Sequence, residues 1–473
     1  MNTLARTTVA LIGPAILILP LAAPAFDSGS TGADGAFNPQ VSTELQLPSN
    51  GVFNFSSVNI PTGVTVTFKR NAANTPVVFL VQGDVLVDGT IDVSGKPAAP
   101  SGPDGSDGGD PADDGNPGAG GPGGFDGGYG TPVGSSLPNA GDGLGPGGGG
   151  GGLNDVRYPY GGEGGFGTPG DFGIRPGGVY GSPELKPLVG GSGGGGSWSR
   201  FSTDFNPPKW LVGMGGGGGG GAILIAASGS IRIQGSIVAY GGDSRPPAGP
   251  AFSISGGAGS GGAIRLVATV IFGGGAVRAT GGFAATYAGD GRIRVEPETG
   301  GAFLDASPTV SFDRPTALFT PGLPGLAITS IAAFPVPAHP TGRGDITLPA
   351  ITADPVDVVL HTNGVPPDTI IKLTVTPEYG AATSTDSAPT VGTLADATTT
   401  VSVSIPQGQS VLMATTSFIV TAALGERLAP FAQGETLEQV RLTASPGQPS
   451  RMVLLTASGR ELDLPSGALA QGW

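Results

Sequence analysis

Seven consecutive glycines, Gly215 to Gly221, stand directly in front of the β-branched run "AILIAASGSIRIQGSIVAYGG". Glycine inside a regular element costs about 0.5–1 kcal/mol relative to alanine, so such a run is tolerable only if the backbone does something a side chain would forbid. Two uses fit. One is positive φ and close approach at a tight corner between stacked coils. The other is an extended helix with three residues per turn, of the polyproline II type, whose backbone groups pair with neighbouring chains once no Cβ intervenes. A phosphate cradle does not fit, because "GxxxxGK[ST]" is absent and no helical pattern follows the glycines.

The glycine-then-strand pattern returns. "GGGGGGGAILI", "GSGGAIRLV" and "GDGRIRVE" set Ile223, Ile264 and Ile293 in equivalent places, 41 and 29 residues apart. Setting Gly89 against Gly235 and Gly275 aligns "GDVLVDGTIDVSG" with "GSIRIQGSIVAYG" and "GAVRATG". Val85 then meets Ile231, Val87 meets Ile233, and Ile91 meets Ile237 and Val277. A unit of about 20 residues, made of short strands punctuated by Gly or Asp, suits one coil of a parallel β-solenoid, whose inward residues are buried only by stacking on neighbours. Residues 41–95 carry further strands of the same texture, "GVFNFSSVNI" and "GVTVTFKR" among them.

Between the aligned segments lies a long interruption. Residues 96–221 combine Gly, Pro and Asp with little hydrophobicity, the composition of a mobile excursion. Regularly spaced "GG" pairs and the scattered Phe125, Tyr129, Phe166, Phe172, Trp198 and Trp210 argue instead for packed loops on the flank of the coils, so order here is left open. Charge is uneven as well: residues 96–221 hold twelve acids against six bases, and residues 222–296 hold six arginines against three acids. A net charge of −14 excludes nucleic acid and anionic lipid as default partners. With 89 Gly, 45 Pro and no Cys, stability must come from packing and backbone pairing.

The amino-terminal 25 residues read as a secretory leader. Arg6 gives a basic start, Val9 to Leu21 an apolar stretch broken by Pro14 and Pro20, and Ala23-Pro24-Ala25 a small-residue cleavage site before Phe26. A membrane span would need about 20 apolar residues, which this stretch does not supply. The expected location is therefore extracellular or cell-surface after cleavage near Ala25. Lipoprotein anchoring is excluded by the lack of Cys, and no apolar tail follows "ELDLPSG", so no membrane span is expected in the mature chain.

After Pro297 the glycines thin out. Residues 326–423 show strands such as "DITLPA", "VDVVLH", "TIIKLTVTP" and "TVSVSIP", which suggest an Ig-like or fibronectin-type β-sandwich. The expected division is a Gly-rich parallel β-solenoid over 26–300, a linker over 301–325, the sandwich over 326–423 and a small β-meander over 424–473. The fold class is all-β, a right-handed parallel β-helix followed by an Ig-like sandwich.

With "FDSGSTGADGAFNP", the coils above and "TGRGDITLPA" in place, the chain resembles a group of exported bacterial Gly-rich parallel β-helix proteins that carry a C-terminal Ig-like module. The resemblance covers about three-quarters of the mature chain and rests on architectural motifs. The glycine-then-strand pattern also looks like the glycine-rich domains of some receptor ectodomains and phage adhesins. The resemblance implies a surface or matrix role and carries over no catalytic residue.

Few residues offer chemistry. Asp104, Asp107, Asp110, Asp113 and Asp114 are the best candidates for a calcium site, although their spacing fits neither the EF-hand nor the "GGxGxDxUx" repeat and a solvated acidic loop explains them as well. Arg232, Arg265, Arg292 and Arg294 each flank an inward isoleucine; in register they would form an outward row able to contact acidic polysaccharide, or simply a charged strand face. Glycoside hydrolysis would need carboxylates converging on one face. Asp84, Asp88 and Asp92 sit on one coil, but Ser230, Gln234 and Val238 stand opposite them, and both histidines, His339 and His361, fall in the sandwich. "RGD" at Arg343 to Asp345 reads as a turn feeding a strand. The expected protein is non-catalytic and structural or adhesive, needing no cofactor beyond calcium. Polysaccharide, another cell-surface component or a second copy is its expected partner, and the alternative is a carbohydrate-binding or carbohydrate-active exoprotein.

Overall fold

The computed structural model describes residues 26–99 and 115–464, apart from 156, 205–206, 245–252, 301–303, 320–322, 338–345, 350–351 and 433. The chain is nearly all β, with 38% strand against 3% helix, and its N-terminal part is built on long parallel sheets. The first strands are β1 (Gly35–Phe37), β2 (Thr43–Gln46), β3 (Val52–Ile60), β4 (Thr65–Lys69), β5 (Val77–Val81), β6 (Val85–Val87) and β7 (Thr90–Asp92). A glycine-rich stretch leads to β8 (Arg200–Ser202), β9 (Lys209–Gly213), β10 (Ala222–Ile233), β11 (Ser236–Val238) and β12 (Ser253–Ile254). Next come β13 (Ala263–Phe272), β14 (Ala276–Arg278), β15 (Arg292–Pro297), β16 (Asp305–Ser307) and β17 (Val310–Phe312).

Both main sheets stack in chain order: one runs β1-β3-β5-β10-β13-β15-β17 with β6 beside β3 and β10, the other β2-β4-β7-β11-β14-β16. The columns follow the sequence alignment. Ile223 lies between Val77 and Ile264, and Ile264 pairs onward with Ile293. Ile231 pairs with Val85, Ile233 with Val87, and Ile237 stands between Ile91 and Val277. Alternation decides which side chains meet: Ile223 and Ile225 join Phe79 and Leu266 in one fully buried cluster shared by both sheets. Each such isoleucine contributes about 1.5–3 kcal/mol of burial, which no single strand gains alone. At the N-terminal edge Phe37 stacks on Phe55 at 5.1 Å, and Phe55 meets Phe79 edge-on at 5.1 Å, so aromatic rings close the stack where strand pairing ends. The corner glycines are sterically required, since a Cβ at Gly235 would lie 1.9 Å from the Gly89 carbonyl oxygen.

The seven glycines form no strand. Hydrogen bonds from Gly215–Gly221 go to three different neighbours in strict rotation. Gly216 and Gly219 donate to Gly128 and Phe125, Gly217 and Gly220 to Gly257 and Ser260, and Gly218 and Gly221 to Lys96 and Val93, all at 2.8–3.0 Å. Their carbonyls accept with the same rotation, from Gly118 and Gly121, from Gly194 and Gly191, and from Gly242 and Ala263. A repeat of three is the period of a polyproline II helix, so this segment is one rod bonded to the rods around it. Residues 115–199, read from composition as an excursion of open order, supply several of those rods, and many of their backbone groups bond to neighbouring rods. Phe125, Phe166 and Trp198 are buried among them as anchors. The glycine layer grows from strand ends: Val93 follows β7, and Gly221 leads into β10.

Two antiparallel sheets complete the chain. Their strands are β18 (Gly325–Ile331), β19 (Phe334–Pro335), β20 (Val356–Asn363), β21 (Lys372–Pro377), β22 (Thr383–Asp386), β23 (Val391–Gly392), β24 (Ala397–Val403), β25 (Ser410–Ile419), β26 (Leu437–Ala444), β27 (Arg451–Thr456) and β28 (Glu461–Leu464). One sheet has the order β19-β18-β20-β24-β23 and the other β22-β21-β25-β26-β27-β28. Alternation along β24 and β25 turns Val401, Leu412 and Ala414 inward against Leu360, Leu442 and Leu454. Two boundaries differ from those expected. β16 and β17 place part of the 301–325 linker inside the parallel sheets, because Val310 pairs with Ile293. β26 bonds edge to edge with β25, so the last strands extend a sheet instead of docking as a separate meander. Among the described residues no helix is long and apolar enough to cross a membrane.

Candidate functional site

The outward arginine row does not exist. Arg265 and Arg294 do share a column, with Leu224, Val78 and Ser311, but this face of the sheet is covered. Leu188, Leu318 and Phe319 lie against Val78 and Leu224 around a void of only about 10 Å³. Arg265 is 1% exposed and Arg294 6%. The Arg265 guanidinium donates through Nε and Nη2 to both oxygens of Glu296 at 3.1 Å and through Nη1 to the Leu318 carbonyl at 2.7 Å. Arg294 Nε donates to Glu296 at 3.0 Å and its Nη2 to Asp313 at 3.0 Å, and Thr316 adds its amide and hydroxyl to Glu296, each at 3.0 Å. Burial by itself pushes the Glu296 carboxyl up, yet the hydrogen bonds and charges of Arg265 and Arg294 outweigh it and hold the group below the ordinary glutamate range. These charges clamp the covering segment to the sheet and leave nothing for a ligand.

The other two arginines are also engaged. Arg292 Nη2 donates to the Tyr180 carbonyl at 3.1 Å, and its guanidinium carbon lies 5.6 Å from the Phe166 ring centre. Arg232 holds both oxygens of Asp88 at 3.0 and 2.9 Å, a pair about one-third exposed on each side. Arg232→Ala is expected to lower stability by less than about 1 kcal/mol in urea unfolding, because screened pairs contribute little. Asp84 accepts from the amide and hydroxyl of Ser230 on β10 at 2.7 and 2.9 Å and so ties neighbouring strand segments together, whereas Asp92 accepts locally from the Ser94 amide at 2.8 Å. Asp104, Asp107, Asp110, Asp113 and Asp114 lie outside the described residues, as do His339 and Arg343 to Asp345. Among the described residues no cluster of three or more His, Asp or Glu is placed to hold a metal. His361 stands beside Asp396 at 2.5 Å on the first antiparallel sheet.

Several exposed aromatic residues gather at one end of the glycine layer. The rods end there in turns that meet one another: Thr131 bonds Ser197, Trp198 bonds Pro159, Met214 bonds Ile254, and the Ser244 hydroxyl bonds Gly215. This end lies opposite Gly221 and β10. β8 and β9 form an antiparallel hairpin in which Phe201 faces Trp210 directly, ring centres 5.5 Å apart at 64°, and the two residues are 50% and 40% exposed. Leu211 and Ser202, pointing the other way, are buried. Tyr129 and Tyr158 stand exposed on neighbouring turns, and Tyr287 packs edge-on against Phe283 at 5.0 Å. Arg157 lies over the Tyr158 ring at 5.5 Å while bonded to Asp155, whose carboxyl it holds below the ordinary range by that hydrogen bond. Tyr129 and Trp210 were both legible as anchors of the glycine-rich stretch; they prove to be presented outward. Phe201, Tyr158 and Tyr287 went unread, and their signal is an aromatic residue between turn residues where a "GG" block stops.

No protein-family model matches the chain, and comparison with the curated proteins and with the solved structures finds no match.

Proposed function

We propose that the chain is an exported, non-catalytic structural or adhesive protein in which a right-handed parallel β-solenoid carries a lattice of polyproline II rods and an Ig-like sandwich attaches or caps it. Support for the solenoid is the strict chain order of both parallel sheets together with the strong preference of parallel crossovers for the right hand. Support for the module is a pair of antiparallel sheets sharing one core. The observation that carries the adhesive role is the exposed aromatic tip: Phe201 and Trp210 are paired across a hairpin set on a densely hydrogen-bonded glycine framework, so a partner meets pre-positioned rings at little entropic cost. The decisive measurement is attachment of purified protein to washed cells and to a glycan array. The Phe201→Ser, Trp210→Ser double variant is expected to lose binding at least about tenfold with an unchanged melting temperature, as truncated aromatic hot spots do. Undiminished binding would remove the tip from the interface.

A carbohydrate-binding role is the second reading, and the same rings favour it, because exposed aromatic faces stack on sugar rings. It no longer leans on the arginines, which are spent internally. Saccharide-specific signals on the array would select it over attachment to protein or to a second copy.

A further inference from the structure

The backbone nitrogen of Phe26 lies 2.8 Å from Glu298 Oε2, a contact bridging 272 residues. The residues after it are pinned across the parallel sheet. Ser28 N donates to Ser228 Oγ at 3.0 Å, Ser28 Oγ to the Val81 carbonyl at 2.8 Å, and Ser30 Oγ to the Phe55 carbonyl at 2.9 Å. The Phe26 side chain is half-buried against the large buried cluster that runs from one face of the parallel sheet into the antiparallel sheets. Glu298 is fixed in turn by its own amide, bonded to the Ala268 carbonyl at 2.9 Å. Its carboxylate borders an open cleft of about 570 Å³ shared with Asp313, which is already committed to Arg294, and with Arg314. Among the described residues no Lys or Arg forms an ion pair with Glu298.

We propose that the Ala25–Phe26 bond is the processing site of the chain and that Glu298 receives the amino terminus this cleavage creates. The inference rests on the export reading, since Ala23-Pro24-Ala25 supplies the small residues a leader-removing endopeptidase accepts. Water adds across the amide: Ala25 leaves with a carboxylate, and the Phe26 nitrogen gains the protons of an ammonium. A neutral N–H donor thereby becomes a cation with three donors, and an ordinary hydrogen bond to Glu298 becomes a charge-assisted ion pair. Cleavage anywhere else would put the new charge out of reach of Glu298. Processing thus tightens the segment that straps β3, β5 and β10: the precursor closes it with a neutral hydrogen bond, and the processed chain with an ion pair.

The full-length chain, expressed in a bacterial host, is recovered from the exported fraction for N-terminal sequencing and for timed labelling with an amine-reactive reagent at neutral pH. Phe26 is expected as the first residue, with its amine labelled about tenfold more slowly in the wild type than in Glu298→Gln, the effect of one unit of amine pKa. A variant with one glycine inserted between Ala25 and Phe26 moves the ammonium by one residue while leaving Glu298 intact, and it is expected to label as fast as Glu298→Gln with an unchanged circular dichroism spectrum. Exported protein that begins elsewhere, or begins at Phe26 but labels equally fast in all three forms, overturns the proposal and leaves export standing. A chain held uncut inside the cell instead overturns the export reading, and the processing step falls with it.

Discussion

Gly219→Val is expected to destroy the native fold. A Cβ at this position would sit 2.0 Å from the Gly191 carbonyl oxygen and 2.3 Å from its carbon, both backbone atoms that cannot rotate away. Relief requires separating this rod from the one that carries Gly191, which breaks the bonds from Gly191 to Gly220 and from Gly194 to Gly217 and strains those that join Gly219 to Phe125 and Gly121 on a third rod. Unpaired backbone groups would then be left buried. The expected loss exceeds about 4 kcal/mol, the range reserved for buried clashes and lost bond networks. Gly274→Ala is the control: a Cβ there meets nothing within 4 Å. It is expected to be neutral or stabilising by up to about 1 kcal/mol through the unfolded chain. Thermal unfolding of both variants measures the contrast, and a Gly219→Val protein melting near the wild type would refute the rod lattice.

Glu296→Ala is the second large effect. Glu296 is fully buried between Arg265 and Arg294, so its removal leaves two guanidinium groups under Leu318 without their shared anion. Removing one member of a buried pair destabilises by about 3–5 kcal/mol, chiefly through the stranded charge. The covering segment around Thr316 to Leu318 should detach first, because Thr316 bonds Glu296 and Leu318 bonds Arg265. Hydrogen exchange at Thr316 reads this directly. The folded pKa of Glu296 lies below its unfolded value of about 4.3. Its stabilisation is therefore complete above that value and is lost as pH falls through the folded pKa. Denaturation midpoints measured from neutral pH downward should fall more steeply in the wild type than in Glu296→Ala. Parallel curves would show that the clamp contributes nothing.

Much of the architecture was legible because the signals are local and periodic. Val85, Ile231 and Ile91, Ile237 and Val277 fall into columns since a strand alternates every second residue and Gly89, Gly235 and Gly275 fix its phase. Glycine's lack of a Cβ made a polyproline II rod one of two uses for Gly215–Gly221, and counting hydrogen-bond partners in threes selects it. The arginines were misplaced for a nonlocal reason. Arg265 alternates outward as its strand dictates, but outward is solvent only where nothing covers the sheet, and the cover comes from residues near 188 and 318. Glu296, two positions beyond Arg294 on the same strand face, was the visible hint that those charges had a partner.

From sequence alone came the strand phase, the stacking columns and the need for a backbone free of side chains at Gly215–Gly221, because each follows from the geometry of one segment and the size of one residue. Tertiary structure alone decided which outward faces are covered, where the rods end, and which of Phe125, Tyr129, Trp198 and Trp210 are buried or presented. Those outcomes depend on what a distant segment places against a surface, and no local period encodes the distance.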